Sequence, residues 1–126
     1  MRAATLAVSS LLVMVTPSRA EQLCVTYAKA KIVADDGRYL GSVTSVYDPE
    51  SILNKYGNYG NEYSSTSIWN EYGRYGGKYS GLSPFNPYAT KPPSIVQNKK
   101  TIGRLTVNRT MQGSVSPYFL QKCKYQ

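Results

Sequence analysis

Residues 47–92 repeat themselves every sixteen positions, and nothing else in the chain narrows its fold as much. Tyr47-Asp48-Pro49-Glu50-Ser51-Ile52-Leu53-Asn54 aligns with Tyr63-Ser64-Ser65-Thr66-Ser67-Ile68-Trp69-Asn70 and with Tyr79-Ser80-Gly81-Leu82-Ser83-Pro84-Phe85-Asn86. The second halves align as well, Tyr56-Gly57-Asn58-Tyr59-Gly60 over Tyr72-Gly73-Arg74-Tyr75-Gly76, before the third copy decays into Tyr88-Ala89-Thr90-Lys91-Pro92. A fixed period of this kind means that one structural unit is built three times and stacked or strung together.

The residue types within one copy suggest what that unit is. Asp48, Ser64 and Ser80 are helix-capping types whose side chains can accept from an orphan backbone N–H. In the first copy Pro49 stands where a first helical residue tolerates it. The pattern predicts a single helical turn per copy, with Tyr47 and Ile52, then Tyr63 and Ile68, as the pair of a hydrophobic staple. Asn54, Asn70 and Asn86 fall where such a turn would stop. The Tyr-Gly-x-Tyr-Gly that follows holds too much glycine for a helix or an inner strand, so it is expected as ordered loop.

The flanks are of another kind. Ile32 to Thr44 places apolar and β-branched runs on either side of Asp36-Gly37, a hairpin signal, and Ser94 to Val107 repeats that plan. A long strand from Val25 to Ala34 and a last, edge strand from Val115 to Cys123 complete the expectation. The fold class is therefore mainly β: a small antiparallel sheet from two hairpins, about 25–46 and 94–123, with the Tyr-Gly block of about 47–93 inserted as loop and short helical turns. One domain is all that the length of 126 residues allows.

These motifs occur in a fixed order, Asp36-Gly37-Arg38-Tyr39-Leu40-Gly41, then the two full repeats, then Asn86-Pro87-Tyr88-Ala89-Thr90-Lys91-Pro92-Pro93. In this the chain resembles a family of small exported bacterial proteins, and C-terminal modules of larger ones, that carry a D-G-x-[YF]-L-G turn, S-I-x-N-x-Y-G-x-Y-G-x-x-Y-S runs and N-P-Y-A-x-x-P-P. The likeness covers about residues 32–107. It implies an exported bacterial setting and brings no assigned activity.

The amino terminus agrees with export. Arg2, an uncharged run from Ala3 to Val15, and Ser18-Arg19-Ala20 read as a signal peptide cleaved after Ala20. The run is too short to span a bilayer, which takes about 20 residues. The mature chain would be periplasmic or secreted, with no transmembrane segment. Cys24 and Cys123, an even pair at its two ends, are then expected as a disulfide. Closing a loop of about 100 residues is worth up to about 4.7 kcal/mol in the chain-entropy model.

Composition removes most chemistries. The chain has no His, which excludes Ser-His, Cys-His and His-ligated zinc sites. All seven carboxylates lie at or before Glu71; of the six after Glu21, Asp35 and Asp36 serve a turn, Asp48 and Glu50 start one, and Glu62 and Glu71 read as partners of Lys55, Arg74 and Lys78. No spacing argues for a metal loop or a glycosidase pair, so no cofactor, metal or catalytic residue is assigned, and the chain reads as a non-enzyme. After the leader 13 basic residues face 7 acidic ones, and from Lys91 onward there are seven basic residues and no acidic one. Such a tail suits a polyanion of the cell envelope, with Lys99, Lys100 and Arg104 as candidate contacts. It equally suits a solvated hairpin whose lysines guard a sheet edge.

Tyrosine is the other excess. Seven of the twelve lie in residues 51–90, where they can supply a core for a glycine-rich loop. Alternatively Tyr56, Tyr59, Tyr72 and Tyr75, with Arg74 and Lys78, form a stacking platform for sugars or bases. The sequence thus suggests an extracytoplasmic binding or interaction module that engages a polyanion or a partner protein. A structural or immunity-type protein with one specific partner ranks second and a hydrolase third, and nucleic acid is disfavoured by the compartment.

Overall fold

The computed structural model describes residues 15–126. Its elements in chain order are helix α1 (Arg19–Tyr27), strands β1 (Lys31–Val33), β2 (Tyr39–Ser42), β3 (Ser94–Gln97), β4 (Lys100–Leu105) and β5 (Ser114–Val115), and helix α2 (Pro117–Lys122). The strands form one sheet in the order β2-β1-β3-β4-β5, antiparallel except for the β4–β5 pair. The protein is mainly β, and its sheet is mixed rather than purely antiparallel.

Both expected hairpins are present. In the first, Ala34 N donates to Arg38 O at 2.8 Å and Asp36 Oδ1 accepts from Arg38 N at 3.1 Å, which closes the Asp-Gly turn. The second turns at Asn98-Lys99, both with positive φ (51° and 65°), the geometry of a two-residue hairpin loop that matches strand twist. The hairpins meet through β1 and β3, with Ile32 opposite Ile95 at the centre of the sheet.

Two expected strands are helices instead. Val25 to Tyr27 belong to α1, whose N-cap Ser18 accepts from Glu21 N at 3.1 Å, so only Lys31–Val33 of the predicted Val25–Ala34 strand is extended. After β5, Ser116 caps α2 by accepting from Tyr118 N at 3.2 Å, and Pro117 takes the first helical position. There its fixed φ and missing donor favour the helix. Cys24 and Cys123 do form the disulfide, with Cα atoms 5.7 Å apart, but it ties α1 to the C-cap of α2 rather than strand to strand. Helix α1 buries none of its residues, and its last turn is held by that bond and by Tyr125 Oη, which donates to Cys24 O at 2.8 Å. Of the expected leader, residues 1–14 lie outside the described residues, and Arg19-Ala20 begin α1. Among the described residues no helix is long and apolar enough to cross a membrane.

The repeat block between β2 and β3 is neither helix nor strand. It is a string of separate turns, each closed by an i→i+3 backbone bond and spaced mostly three residues apart: Ser51 N to Asp48 O, Asn54 N to Ser51 O, Gly57 N to Asn54 O, Gly60 N to Gly57 O. The same bonds recur sixteen residues later at Ser67, Asn70, Gly73 and Gly76. A helix needs such bonds at consecutive residues; here two residues of every three make none, so the chain bends repeatedly without coiling into a rod. The capping types do bond locally, Asp48 Oδ1 accepting from Glu50 N and Ser64 Oγ from Thr66 N. The staples do not form, because Tyr47 and Tyr63 point into solvent while Ile52 and Ile68 are fully buried.

The first copy locks onto the sheet. Ser42 N donates to Glu50 O at 2.8 Å and Ile52 N to Ser42 O at 2.9 Å, a parallel bridge that covers the outer edge of β2. The approach is close: a Cβ on Gly41, whose φ is +111°, would lie 2.7 Å from Tyr59 Cβ and 2.8 Å from Glu50 O. At the other end Val107 N donates to Pro84 O at 2.8 Å and ties the third copy to the segment after β4. Ile52 and Ile68 thereby join Ile32, Leu40, Ile95, Leu105 and Leu120 in one core.

Candidate functional site

Each copy is one coil, and a single asparagine per coil holds it. Asn54 Oδ1 accepts from Tyr56 N at 3.0 Å while its Nδ2 donates to Asp48 O at 3.1 Å. Asn70 and Asn86 do the same, to Tyr72 N and Ser64 O and to Tyr88 N and Ser80 O. A carboxylate could accept but not donate, and an aliphatic side chain could do neither, so the amide is the residue type the coil requires. Ser51, Ser67 and Ser83 behave alike: all three are fully buried and accept from the backbone N–H two residues on. No buried side-chain polar atom among the described residues lacks a partner.

Sixteen-residue equivalence stacks like on like. Leu53, Trp69 and Phe85 form one half-buried column that packs against the core. Trp69 and Phe85 have ring centroids 5.4 Å apart, and Tyr118 of α2 continues the row at 5.3 Å from Phe85, edge to face. Trp69 Nε1 donates to Ile52 O at 2.6 Å, which binds the second coil to the first. The column is the floor of an open groove of about 850 Å³.

The walls carry charge of both signs. Lys55 and Glu71 occupy equivalent positions in successive coils, and so do Glu62 and Lys78, and all four line the groove. The sign thus inverts from one coil to the next on each side, and the groove is balanced overall. The ion pairs expected of Glu62 and Glu71 do not form. Among the described residues the one ion pair joins Arg74 Nε to Asp36 Oδ2 at 4.0 Å, near the first hairpin. Glu62 instead sits beside Tyr63 and pushes that phenol's pKa up.

The tyrosines of the repeat divide into two classes. Tyr56 and Tyr72 are each 97% exposed, and Tyr63, Tyr79 and Tyr88 are exposed with them. Tyr59 and Tyr75, three residues further along each copy, turn the other way. Tyr59 packs edge-on against Tyr39 with ring centroids 5.0 Å apart. Tyr75 is buried and its hydroxyl donates to Asp36 Oδ2 at 2.8 Å, a bond that holds the Asp36 carboxyl below its ordinary pKa with help from Arg38 N.

The residues singled out in the sequence therefore separate. Tyr56 and Lys78 line the groove; Tyr72 is an exposed member of the Tyr56 column; Tyr59, Tyr75 and Arg74 fasten the coils to the first hairpin. Lys99 stands at the tip of the second hairpin and Lys100 begins β4, both exposed. Arg104 is turned inward, its Nη1 donating to Ser94 Oγ at 2.8 Å and Pro92 O at 3.3 Å. Sequence reasoning passed over Trp69, Phe85, Tyr118, Lys55, Glu62 and Glu71 as site residues. Alignment at sixteen residues carries the signal for most of them, since it sets Trp69 over Phe85 and exposes the sign inversion. Among the described residues no group of three or more His, Cys, Asp or Glu could hold a metal ion. No family model, curated protein or solved structure matches the chain.

Proposed function

We propose that this protein is an exported, non-catalytic binding module of the bacterial cell envelope or extracellular space, and that the groove across its coils is the binding surface. The observation that carries this reading is the aromatic floor of Trp69, Phe85 and Tyr118 left open beneath Tyr56 and Tyr63. A concave surface with aromatic walls and a few polar groups is the usual form of a ligand site. The Cys24–Cys123 disulfide suits an oxidising compartment, and a leader cleaved after Ala20 would deliver the chain there. The exposed Lys99 and Lys100 suit a second, electrostatic contact with a polyanionic surface.

A structural or immunity-type role with one protein partner is the second reading, and the same exposed aromatic rings favour it. Immobilised mature protein, probed with envelope polysaccharides, polyanions and detergent-solubilised envelope proteins at low and high salt, tests the reading. Saturable retention of one class, lost when Tyr56 and Tyr63 become alanine, supports the groove. Retention of none overturns the module.

A further inference from the structure

Resting on that reading, we infer that the groove takes an uncharged linear polysaccharide laid across successive coils. Three observations select this chemistry. The first is charge: Lys55 and Lys78 are matched by Glu62 and Glu71, so the groove has no net attraction for a polyanion. Nucleic acid and acidic polymers bind through an excess of cations, which lies elsewhere on this molecule. Uncharged hydroxyls, by contrast, can donate to a carboxylate and accept from an ammonium at the same time, and both are offered within each coil.

The second observation is the kind of surface. A pyranose ring has an apolar C–H face and a hydroxyl edge, which suits a floor of aromatic rings between polar walls. A peptide strand would need an open backbone edge for β-addition. The coils offer none there, since the chain between β2 and β3 runs as a string of turns with no strand. An amphipathic helix would need an apolar groove, and four charged side chains line this one.

The third observation is periodicity. Tyr47, Tyr63 and Tyr79 repeat along one column and Tyr56, Tyr72 and Tyr88 along another, all six exposed; Tyr56 and Tyr63 line the groove and the other four continue the two rows outside it. A row of equivalent side chains presents equivalent chemistry at equal steps, and the matching ligand is a polymer of one repeated unit.

The chain has a single tryptophan, Trp69, on the groove floor, and its fluorescence reports occupancy directly. The experiment titrates the mature protein with soluble uncharged glycans (cello-oligosaccharides, N-acetylated chito-oligosaccharides, linear β-glucan) and with heparin, each at low and high salt. The expected result is a saturable change in Trp69 emission with one uncharged glycan, an affinity that rises with chain length, and little salt dependence. Replacing Tyr56 and Tyr63 together by alanine should weaken it at least tenfold while the melting temperature holds. The Lys31→Ala variant, which removes an exposed cation of β1 away from the groove, should leave it unchanged. Salt-sensitive heparin binding with no response to uncharged glycans would overturn this inference and leave the binding-module reading standing. Binding to a solubilised envelope protein, but to no glycan and no heparin, would overturn it in favour of a protein partner. No binding to any probe would overturn both.

Discussion

The indole of Trp69 donates to the carbonyl of Ile52, seventeen residues earlier and one coil away, at 2.6 Å. The same ring that floors the groove thus also fastens the repeat. Trp69→Phe keeps most of the apolar contact and removes the donor, leaving a partly sheltered carbonyl unpaired. The expected loss is about 1–3 kcal/mol, read from chemical denaturation.

Each coil asparagine makes two bonds, one as acceptor and one as donor. Asn70→Ala should cost about 1–3 kcal/mol, because Ser64 O and Tyr72 N both lose their partner. Asn70→Asp should restore only the bond from Tyr72 N. The two variants, melted side by side, should therefore differ, with aspartate the less damaging at pH 7.

Glycines that look alike in the repeat are not equivalent. A Cβ on Gly60 would overlap the backbone carbonyl of Asn54, while one on Gly81 meets nothing within 4 Å. Gly60→Ala should lower stability by about 1–3 kcal/mol, as overpacking does, and Gly81→Ala should leave the melting temperature within a degree or two. Equal effects from the pair would contradict the close packing of turn upon turn.

The disulfide encloses residues 24–123, with a sequence separation of 99. Thiol titration under denaturing conditions should find no free thiol in protein isolated without reductant. Replacing Cys24 and Cys123 by serine should cost up to about 4.7 kcal/mol on the chain-entropy account. Because α1 buries no residue of its own, limited proteolysis should then cut first within the 21–27 part of α1.

Two phenols set the response to pH. Burial pushes the Tyr125 hydroxyl up to about 12. The folded state thus holds this proton more tightly than the unfolded chain, whose tyrosine titrates near 10. The stability it contributes is complete below pH 10 and is lost as pH rises from 10 to 12. Alkaline spectrophotometric titration should end in one late step that Tyr125→Phe removes. At the acid end the Tyr75 hydroxyl, donating to Asp36, holds that carboxyl low. Its contribution is present above the unfolded pKa and disappears as pH falls through the folded one, so Tyr75→Phe should flatten the acid limb of a stability profile.

What was readable in advance follows from the range of the interactions involved. The Asp36-Gly37 turn is local and appears as the residues imply; the period of sixteen recurs in the backbone bonds, but as separate turns without the expected staples. The Cys24–Cys123 pairing needed only compartment and parity. The two helices are masked by signals that read two ways: Ser18, the cap of α1, also fits the end of a leader, and Pro117, which also suits an edge strand, starts a helix once Ser116 caps it. The division of the tyrosines was out of reach for a different reason. Tyr56 and Tyr59 occupy the same Tyr-Gly context, and only the position of Tyr39 on β2 decides which ring finds a neighbour. The groove likewise depends on α2, whose Tyr118, 33 residues beyond Phe85 in sequence, packs against it.

A coil that begins and ends in register with its neighbours can be added or removed whole. Splicing sixteen residues into the block at one of its asparagines would lengthen the aromatic track by one rung and shift one of its two anchors, at Ser42 or at Val107, by one coil. Reach along a ligand would then change in steps of one coil.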